Sequence, residues 1–127
     1  MVRSISKKIL FKIYGGNYKT LDGTCYRDYI HVVDLVKAHL SSFKILRKKN
    51  FEIFNVGTGN PHSVKNLILE FSTLLKYQIP YKIVNKRGGD IPVSYACSKK
   101  ISKKLNWKAK YDLNMMCKNI INNIKLI

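Results

Sequence analysis

The chain is poor in acidic residues, in cysteine and in long apolar runs. Only 7 of its 127 residues are Asp or Glu, against 24 Lys and Arg, so the formal net charge is +17 at pH 7. The three cysteines are an odd number, far apart, and cannot form a complete disulfide framework, which favours a reducing cytoplasm. Lys12 interrupts the N-terminal apolar stretch ILFKIY. We therefore expect a cytoplasmic protein without a secretory signal, a membrane span or a membrane partner.

The chain also lacks the glycine-rich turn that opens a dinucleotide-binding fold. GTGNP at 57–61 comes nearest, but it has two glycines instead of three and no acidic residue at the right distance. We interpret it as a loop between a strand and a helix. His31, His39 and His62 do not have metal-ligand spacing, and Cys25 has no recognisable base partner. Accordingly, we predict no catalytic, cofactor-binding or metal-binding residue in this chain.

The excess positive charge comes from lysines that are spread along the whole sequence, without an arginine-rich tract. Such a distribution is more typical of a solvated basic surface than of a nucleic-acid site, so we do not expect nucleic acid as a partner. A basic nucleic-acid-binding or anion-binding module nevertheless stays open as the alternative.

Strand-like and helix-like segments alternate along the chain. At 46% hydrophobic residues the chain is long enough for one modest core, and we predict a single small mixed α/β unit over residues 1–127. Hydrophobic patterns and turn residues predict strands at 9–14, 51–56 and 81–85, an extended segment at 24–32, and helices at 34–48, 64–77, 98–105 and 113–124. Asp34, Ser63 and Ser98 are the predicted helix N-caps. Leu35, Ala38, Leu40 and Phe43 form the predicted apolar face of the first helix.

Two short signatures carry two of the only four arginines: RDYIHVVDL at 27–35 and RGGD at 87–90. Arginine offers a planar fork of donors that can bind a phosphate in two places. If Arg27 and Arg87 face one cleft, a diphosphate or a nucleotide is the expected ligand. The alternative is that Arg27 pairs with Asp28 or Asp34 and that Arg87 is a surface charge.

Most of the chain resembles the C-terminal portion of UDP-glucose 4-epimerases, which belong to the extended short-chain dehydrogenase/reductase family. The resemblance lies in IYGGNYKTLDGTCYRDYIHVVDLVKAHL at 13–40, FNVGTGNPHSV at 54–64, YKIVNKRGGDIPVSYA at 81–96 and SKKISKKLNW at 98–107. It implies the substrate-binding part of such an isomerase, without most of the NAD-binding Rossmann domain.

The resemblance also implies a function in galactose and nucleotide-sugar metabolism. Complete epimerases interconvert UDP-glucose and UDP-galactose with a tightly held NAD, and their catalytic tyrosine and lysine belong to the N-terminal half. We therefore expect this chain to bind a UDP-sugar without catalysis and without binding NAD alone. A separate NAD-binding chain is an expected partner, and a homodimer is another. An inactive truncated remnant is the remaining alternative.

The family's site residues can be placed on this sequence one by one. Arg27 and Arg87 match the arginines that bind the diphosphate, and Asp90 matches the carboxylate that holds the uridine ribose. Tyr14 is expected near the uracil. Tyr29 is expected beside the nucleotide.

Ser94 stands at a position where the family has either a bulky tyrosine or a small residue near the sugar's C2 substituent. The resemblance thus implies room for an N-acetyl group and acceptance of UDP-N-acetylhexosamines.

Overall fold

The computed structural model describes residues 10–46 and 51–124, which form a small mixed α/β structure as predicted. In chain order the elements are β1 (Phe11–Tyr14), β2 (Tyr26–Arg27), α1 (Val32–Leu46), β3 (His62–Ser63), α2 (Val64–Leu75), β4 (Tyr81–Val84), β5 (Val93–Ser94), α3 (Lys99–Leu105) and α4 (Leu113–Ile124). None of the helices in these ranges is both long enough and apolar enough to cross a membrane.

The strands form two small sheets. In the first, β1 and β4 run parallel from the pair Phe11 and Tyr81 to the pair Tyr14 and Val84. In the second, β2 lies in the centre, antiparallel to β3 and parallel to β5. The register of the parallel pair sets Arg27 opposite Ser94. Two candidate site residues that are far apart in sequence are thus neighbours on adjacent strands.

The first core lies between β1, α2 and α4. Apolar residues of α2 recur at helical spacing, and Phe71, only 1% exposed, packs with Ile13 of β1 and Cys117 of α4. Ile68, Ile79, Leu113 and Ile121 complete this cluster.

A second, smaller core joins α1 to α3. Ala38, Ile101 and Trp107 are its buried members, and Phe54 and Val56 pack against them. The indole nitrogen of Trp107 donates a hydrogen bond to the backbone oxygen of Asp34 at 3.2 Å. This contact satisfies the polar end of an otherwise buried ring.

The first helix differs from the prediction at its start and on its apolar face. It begins at Val32, so Asp34 lies in its first turn and does not cap it. The buried Asp34 carboxylate instead accepts hydrogen bonds from the backbone amides of Lys110 and Tyr111, at 2.8 and 2.9 Å. Leu40 and Phe43 are each 61% exposed, because the buried side of the helix is the one that carries Ala38. The predicted helix end at 48 lies outside the described residues.

The predicted strand at 51–56 is wrong. This segment pairs with no strand among the described residues, although exposed and half-buried side chains alternate along it. The alternation of the side chains between solvent and the interior is present as predicted, since Phe54 and Val56 pack against the second core. A strand also needs a hydrogen-bonded neighbour, which side-chain pattern alone does not provide.

Ser63 and Ser98, two of the predicted helix N-caps, use their hydroxyl groups differently. The Ser63 hydroxyl accepts a hydrogen bond from the backbone amide of Asn66 at 2.9 Å, so Ser63 caps α2 as predicted. Ser98 precedes α3 but makes no side-chain cap; its hydroxyl donates to the backbone oxygen of Gly57 at 2.7 Å. Ser98 therefore ties α3 to the 57–60 loop.

Candidate functional site

The two candidate arginines meet at one carboxylate. The Nε atom of Arg87 donates a hydrogen bond to Oδ2 of Asp90 at 2.9 Å, and Nη2 of Arg27 lies 3.5 Å from Oδ1 of the same residue. The centre of this arrangement is the loop between β4 and β5. Arg27 and Arg87 thus converge on the same side of the molecule.

Arg27 is held in place by the backbone around it. Its Nη1 atom donates to the carbonyl oxygens of Tyr26 at 2.8 Å and Ile91 at 2.9 Å. Two bonds from one nitrogen fix the plane of the guanidinium and point Nη2 towards Asp90. The orientation of Arg27 is therefore set before any ligand contacts it.

Arg87 is the more exposed partner, with 62% of its side chain accessible. Its guanidinium carbon lies 4.6 Å from the centre of the Tyr14 ring, within the range of a cation–π contact. The hydrogen bond from Arg87 to Asp90 raises the pKa of this arginine above its usual value. Arg87 is consequently a permanent positive charge at the surface, beside an aromatic ring.

The alternative pairing of Arg27 with Asp28 or Asp34 is wrong. The Asp28 carboxylate accepts hydrogen bonds from the backbone amides of Thr58 and Gly59 at 3.0 Å and of Ala96 at 3.1 Å. Burial alone would raise the pKa of Asp28, but these bonds and one from the Thr58 hydroxyl outweigh it and lower the pKa.

Asp28 is a positioning residue that the sequence reasoning missed. Its carboxylate holds the 57–60 loop against the segment that follows β5, next to Arg27 and Ser94. Gly57 passes so close to the carboxylate and to Ala96 that an added Cβ would clash with both. The glycines on either side of Thr58 were the sequence signal for this arrangement.

An open groove of about 630 Å³ lies beside the arginine cluster. Arg27, Asp28 and Ser94 contribute to its lining, together with Phe54, Asn55, Val56, Tyr95, Ala96 and Cys97. Ser94 is exposed at this surface. The groove thus lies between Arg27 and Asp28 on one side and the end of β5 with the segment that follows it on the other.

The two candidate tyrosines have different surroundings. Tyr14, 39% exposed, lies under Arg87 and belongs to the arginine cluster. Tyr29 packs against the first core, and burial raises its pKa. It lines a separate cavity of about 250 Å³ with Thr58, Asn60, His62 and others. The structure therefore groups Tyr14 with Arg27, Arg87 and Asp90 but does not group Tyr29 with them.

The histidines, cysteines and carboxylates of the described residues do not form a metal-binding cluster. Nowhere in residues 10–46 and 51–124 do three His, Cys, Asp or Glu side chains come together. His31 has packing contacts instead: its ring stacks on Tyr111 at 4.2 Å and its Nδ1 atom accepts from the amide of Val33 at 3.0 Å. Burial raises the pKa of the Cys117 thiol to about 12, which makes this cysteine unreactive at neutral pH.

The curated relatives of this chain are UDP-glucose 4-epimerases. No family model matches the sequence. The chain is 39% identical over 118 residues to a UDP-glucose 4-epimerase of Dictyostelium discoideum, a match that covers 91% of this chain and 34% of that protein.

Solved structures give the same result. The structure of a UDP-glucose 4-epimerase from Stenotrophomonas maltophila, with bound NAD and formylated UDP-arabinopyranose, has a TM-score of 0.91 at 36% identity and covers 98% of this chain and 38% of that one. A UDP-Glc/GlcNAc 4-epimerase from Campylobacter jejuni has a TM-score of 0.85 at 33% identity, covering 99% and 39%. The chain spans about a third of the length of the curated relatives it matches. Its curated relatives and structural neighbours are UDP-glucose 4-epimerases, and the share of their length that it covers is consistent with a C-terminal portion.

Proposed function

We propose that this chain binds a UDP-sugar, with Arg27 and Arg87 on the diphosphate and Asp90 on the ribose. The observation that carries the proposal is the convergence of both guanidiniums on the loop at 87–90, within 3.5 Å of one carboxylate. Two forked donors a few ångströms apart suit the two phosphates of a nucleoside diphosphate. The Stenotrophomonas relative, which was solved with a UDP-sugar, supports the same ligand class.

The remaining candidate residues have roles that follow from their positions. Tyr14, beside Arg87, can stack on the uracil with its exposed face. Ser94, opposite Arg27 on β5, faces the groove in which the sugar would lie. Tyr29 remains a candidate for the nucleotide, but its packing against the first core makes a supporting role the simpler assignment.

Catalysis requires NAD, and the residues present here do not fit a dinucleotide. The loop at 57–60, which comes nearest in sequence to a phosphate-binding turn, already donates the amides of Thr58 and Gly59 to Asp28, so these amides are not free for a pyrophosphate. We therefore expect NAD and the catalytic base to be held by residues outside these 127. With them, the complete protein would interconvert UDP-glucose and UDP-galactose in the cytoplasm.

A separate NAD-binding chain is the partner that we propose for residues 1–127 acting as one unit. Large apolar side chains remain exposed along α1, including Val36, Leu40 and Phe43, and on the unpaired segment at Phe51 and Ile53. Such surfaces are typical of protein interfaces. A homodimer would cover the same side chains, and size measurement with and without an NAD-binding polypeptide distinguishes the two.

Calorimetry of the purified chain with UDP tests the ligand directly. We expect Arg87→Ala to weaken UDP binding about tenfold or more, since charge-assisted hydrogen bonds contribute about 1.5–3 kcal/mol. Lys118→Ala, which removes an exposed positive charge on α4, is the control and should leave binding nearly unchanged. An equal loss in both variants, or no UDP binding by the unaltered chain, would contradict the proposal.

Nucleic-acid binding is the second candidate, and the net charge of +17 favours it. Its affinity would fall steeply with salt and would not respond to UDP. A salt titration with a DNA duplex, repeated in the presence of UDP, separates this function from a UDP site.

Substrate breadth is tested at Ser94. We expect the chain to bind UDP-glucose and UDP-N-acetylglucosamine with similar affinity, since a serine leaves room beside the sugar. Ser94→Tyr should weaken the N-acetyl sugar about tenfold relative to UDP-glucose, because overfilling a site typically costs about 1–3 kcal/mol. Ser94→Ala should keep both. An unchanged preference in Ser94→Tyr would show that this position does not contact the sugar.

A further inference from the structure

Asp90 occupies donors that a diphosphate would need. Its two carboxylate oxygens contact one guanidinium each, Oδ1 that of Arg27 and Oδ2 that of Arg87. The Asp90 side chain is only 19% exposed, whereas Arg87 is largely open to solvent. A diphosphate that approaches from solvent therefore meets two arginines that are already paired with an internal anion.

The two arginines differ in how far Asp90 engages them: Arg87 contacts it through Nε alone and exposes most of its side chain, whereas Arg27 is held on both sides. Nη1 of Arg27 is used by two backbone carbonyls, so the atom that this arginine directs towards the loop is the Nη2 that contacts Asp90. Two anions at the same pair of guanidiniums also repel each other, and they do so more strongly where solvent is partly excluded. Binding of a diphosphate should consequently exchange the Asp90 contacts for phosphate contacts.

The exchange has different consequences for different ligands. Free pyrophosphate displaces the carboxylate from the guanidiniums and offers it nothing in return. A ribose on the diphosphate brings neutral hydroxyl groups, which can donate hydrogen bonds to the displaced carboxylate. Binding costs free energy when the carboxylate loses its ion pairs without gaining new hydrogen-bond donors. New donors offset this cost.

We propose that Asp90 is an internal competitor that selects diphosphates bearing a ribose over free pyrophosphate. This inference rests on the proposed UDP-sugar function and adds to it a specificity-determining role. Asp90 lowers the affinity for every anion at the two arginines, and a ribose largely restores what was lost. The site would thereby avoid occupation by pyrophosphate and similar small polyanions.

The test is calorimetry of the full 127-residue chain with inorganic pyrophosphate and with UDP, for the unaltered protein and for Asp90→Asn. Asparagine keeps the shape and removes the charge. We expect pyrophosphate to bind about tenfold more tightly to Asp90→Asn, because the substitution removes a negative charge that contacts both guanidiniums. UDP should gain less, so the preference for UDP over pyrophosphate should shrink.

Asp112→Asn is the matched control. It changes the net charge by the same amount at an exposed position, and asparagine preserves the hydrogen bond that Asp112 accepts from the amide of Met115. Pyrophosphate affinity should change less than twofold there. Weaker pyrophosphate binding in Asp90→Asn, an equal gain in Asp112→Asn, or no pyrophosphate binding by any variant would overturn the inference.

A second measurement covers the case in which Asp90→Asn does not fold. In the unaltered chain, the NMR signal of the Arg87 Nε–H should shift as pyrophosphate binds, because its hydrogen bond to Asp90 is exchanged. Binding without such a shift would also overturn the inference. Tighter pyrophosphate binding in Asp90→Asn with no UDP binding would reject the UDP function and the selection for a ribose, and would keep only the competition of Asp90 with anions. UDP binding together with weaker pyrophosphate binding in Asp90→Asn would keep the UDP function and reject the competitor role of Asp90.

Discussion

At the scale of single residues, the carboxylates of this chain differ in what neutralises them. Asp28 and Asp34 accept hydrogen bonds from backbone amides, and Asp90 contacts two arginines. Glu52 contacts Lys100 and Lys104 of α3, with nitrogen–oxygen distances of 2.5 and 2.7 Å. In a chain with so few acidic residues, most of these contacts hold segments together that are distant in sequence.

The ion pairs of Glu52 predict how its contribution to stability changes at acidic pH. Hydrogen bonds from Lys100 and Lys104 lower its pKa from 4.5 to about 2. The folded state thus binds its proton less readily than the unfolded state, so its stabilising effect is present above about pH 4.5 and is lost as the pH falls towards 2. We expect the NMR titration of the Glu52 carboxyl to show this low pKa. In the double variant Lys100→Gln, Lys104→Gln the pKa should return towards 4.5.

Lys103→Gln, on the same helix, is the control for that titration and should leave the Glu52 midpoint where it is. A Glu52 midpoint near 4.5 in the unaltered chain would contradict the ion pairs.

At the scale of elements, α2 is the helix whose sequence and structure agree best. Ser63 caps it, its buried residues have helical spacing, and Lys76 ends it in the left-handed conformation with φ 52°. All of these signals are local in sequence. The start of α1 was predicted less well, because the function of Asp34 depends on amides some 76 residues further along.

The cap of α2 should contribute measurably to stability. Ser63→Ala removes the acceptor for the Asn66 amide and also a buried hydroxyl that bonds Asp22. We expect the free energy of unfolding, measured with urea, to fall by about 1–2 kcal/mol. Thr73→Ala, at an exposed position of the same helix, should change it by less than about 0.5 kcal/mol. Identical urea midpoints for Ser63→Ala and the unaltered chain would rule out the cap.

At the scale of the whole molecule, stability depends on two small cores instead of one. The larger contains β1, α2 and α4, and the smaller joins α1, α3 and the segment at 51–56. Arg27 lies on the central strand of the second sheet, whereas Tyr14 lies on β1 of the first. The candidate site therefore depends on how these parts of the fold are held together.

A cavity at the centre of the larger core tests how far the stability of the molecule depends on that core. Phe71→Ala should lower the free energy of unfolding by about 3–5 kcal/mol, because a large buried ring is replaced by a cavity. A small domain has only about 5–15 kcal/mol in total, so circular dichroism should show a much lower melting temperature. Leu69→Ala, 66% exposed on the same helix, should melt close to the unaltered chain. Similar melting of both variants would place Phe71 outside the core.

The sequence by itself determined the family, the α/β class, most helix bounds and the loop character of 57–61 and 87–90. These features depend on local patterns of hydrophobic, polar and turn residues. The unpaired segment at 51–56, the exposed side of α1 and the function of Asp28 were decided only by tertiary structure. Each depends on which backbone groups and side chains meet across long sequence separations. The same holds for Arg27 and Asp90: the sequence named them, but the pairing of β2 with β5 brings the charge of Arg27 to Asp90, whereas Arg87 is only three residues from that carboxylate.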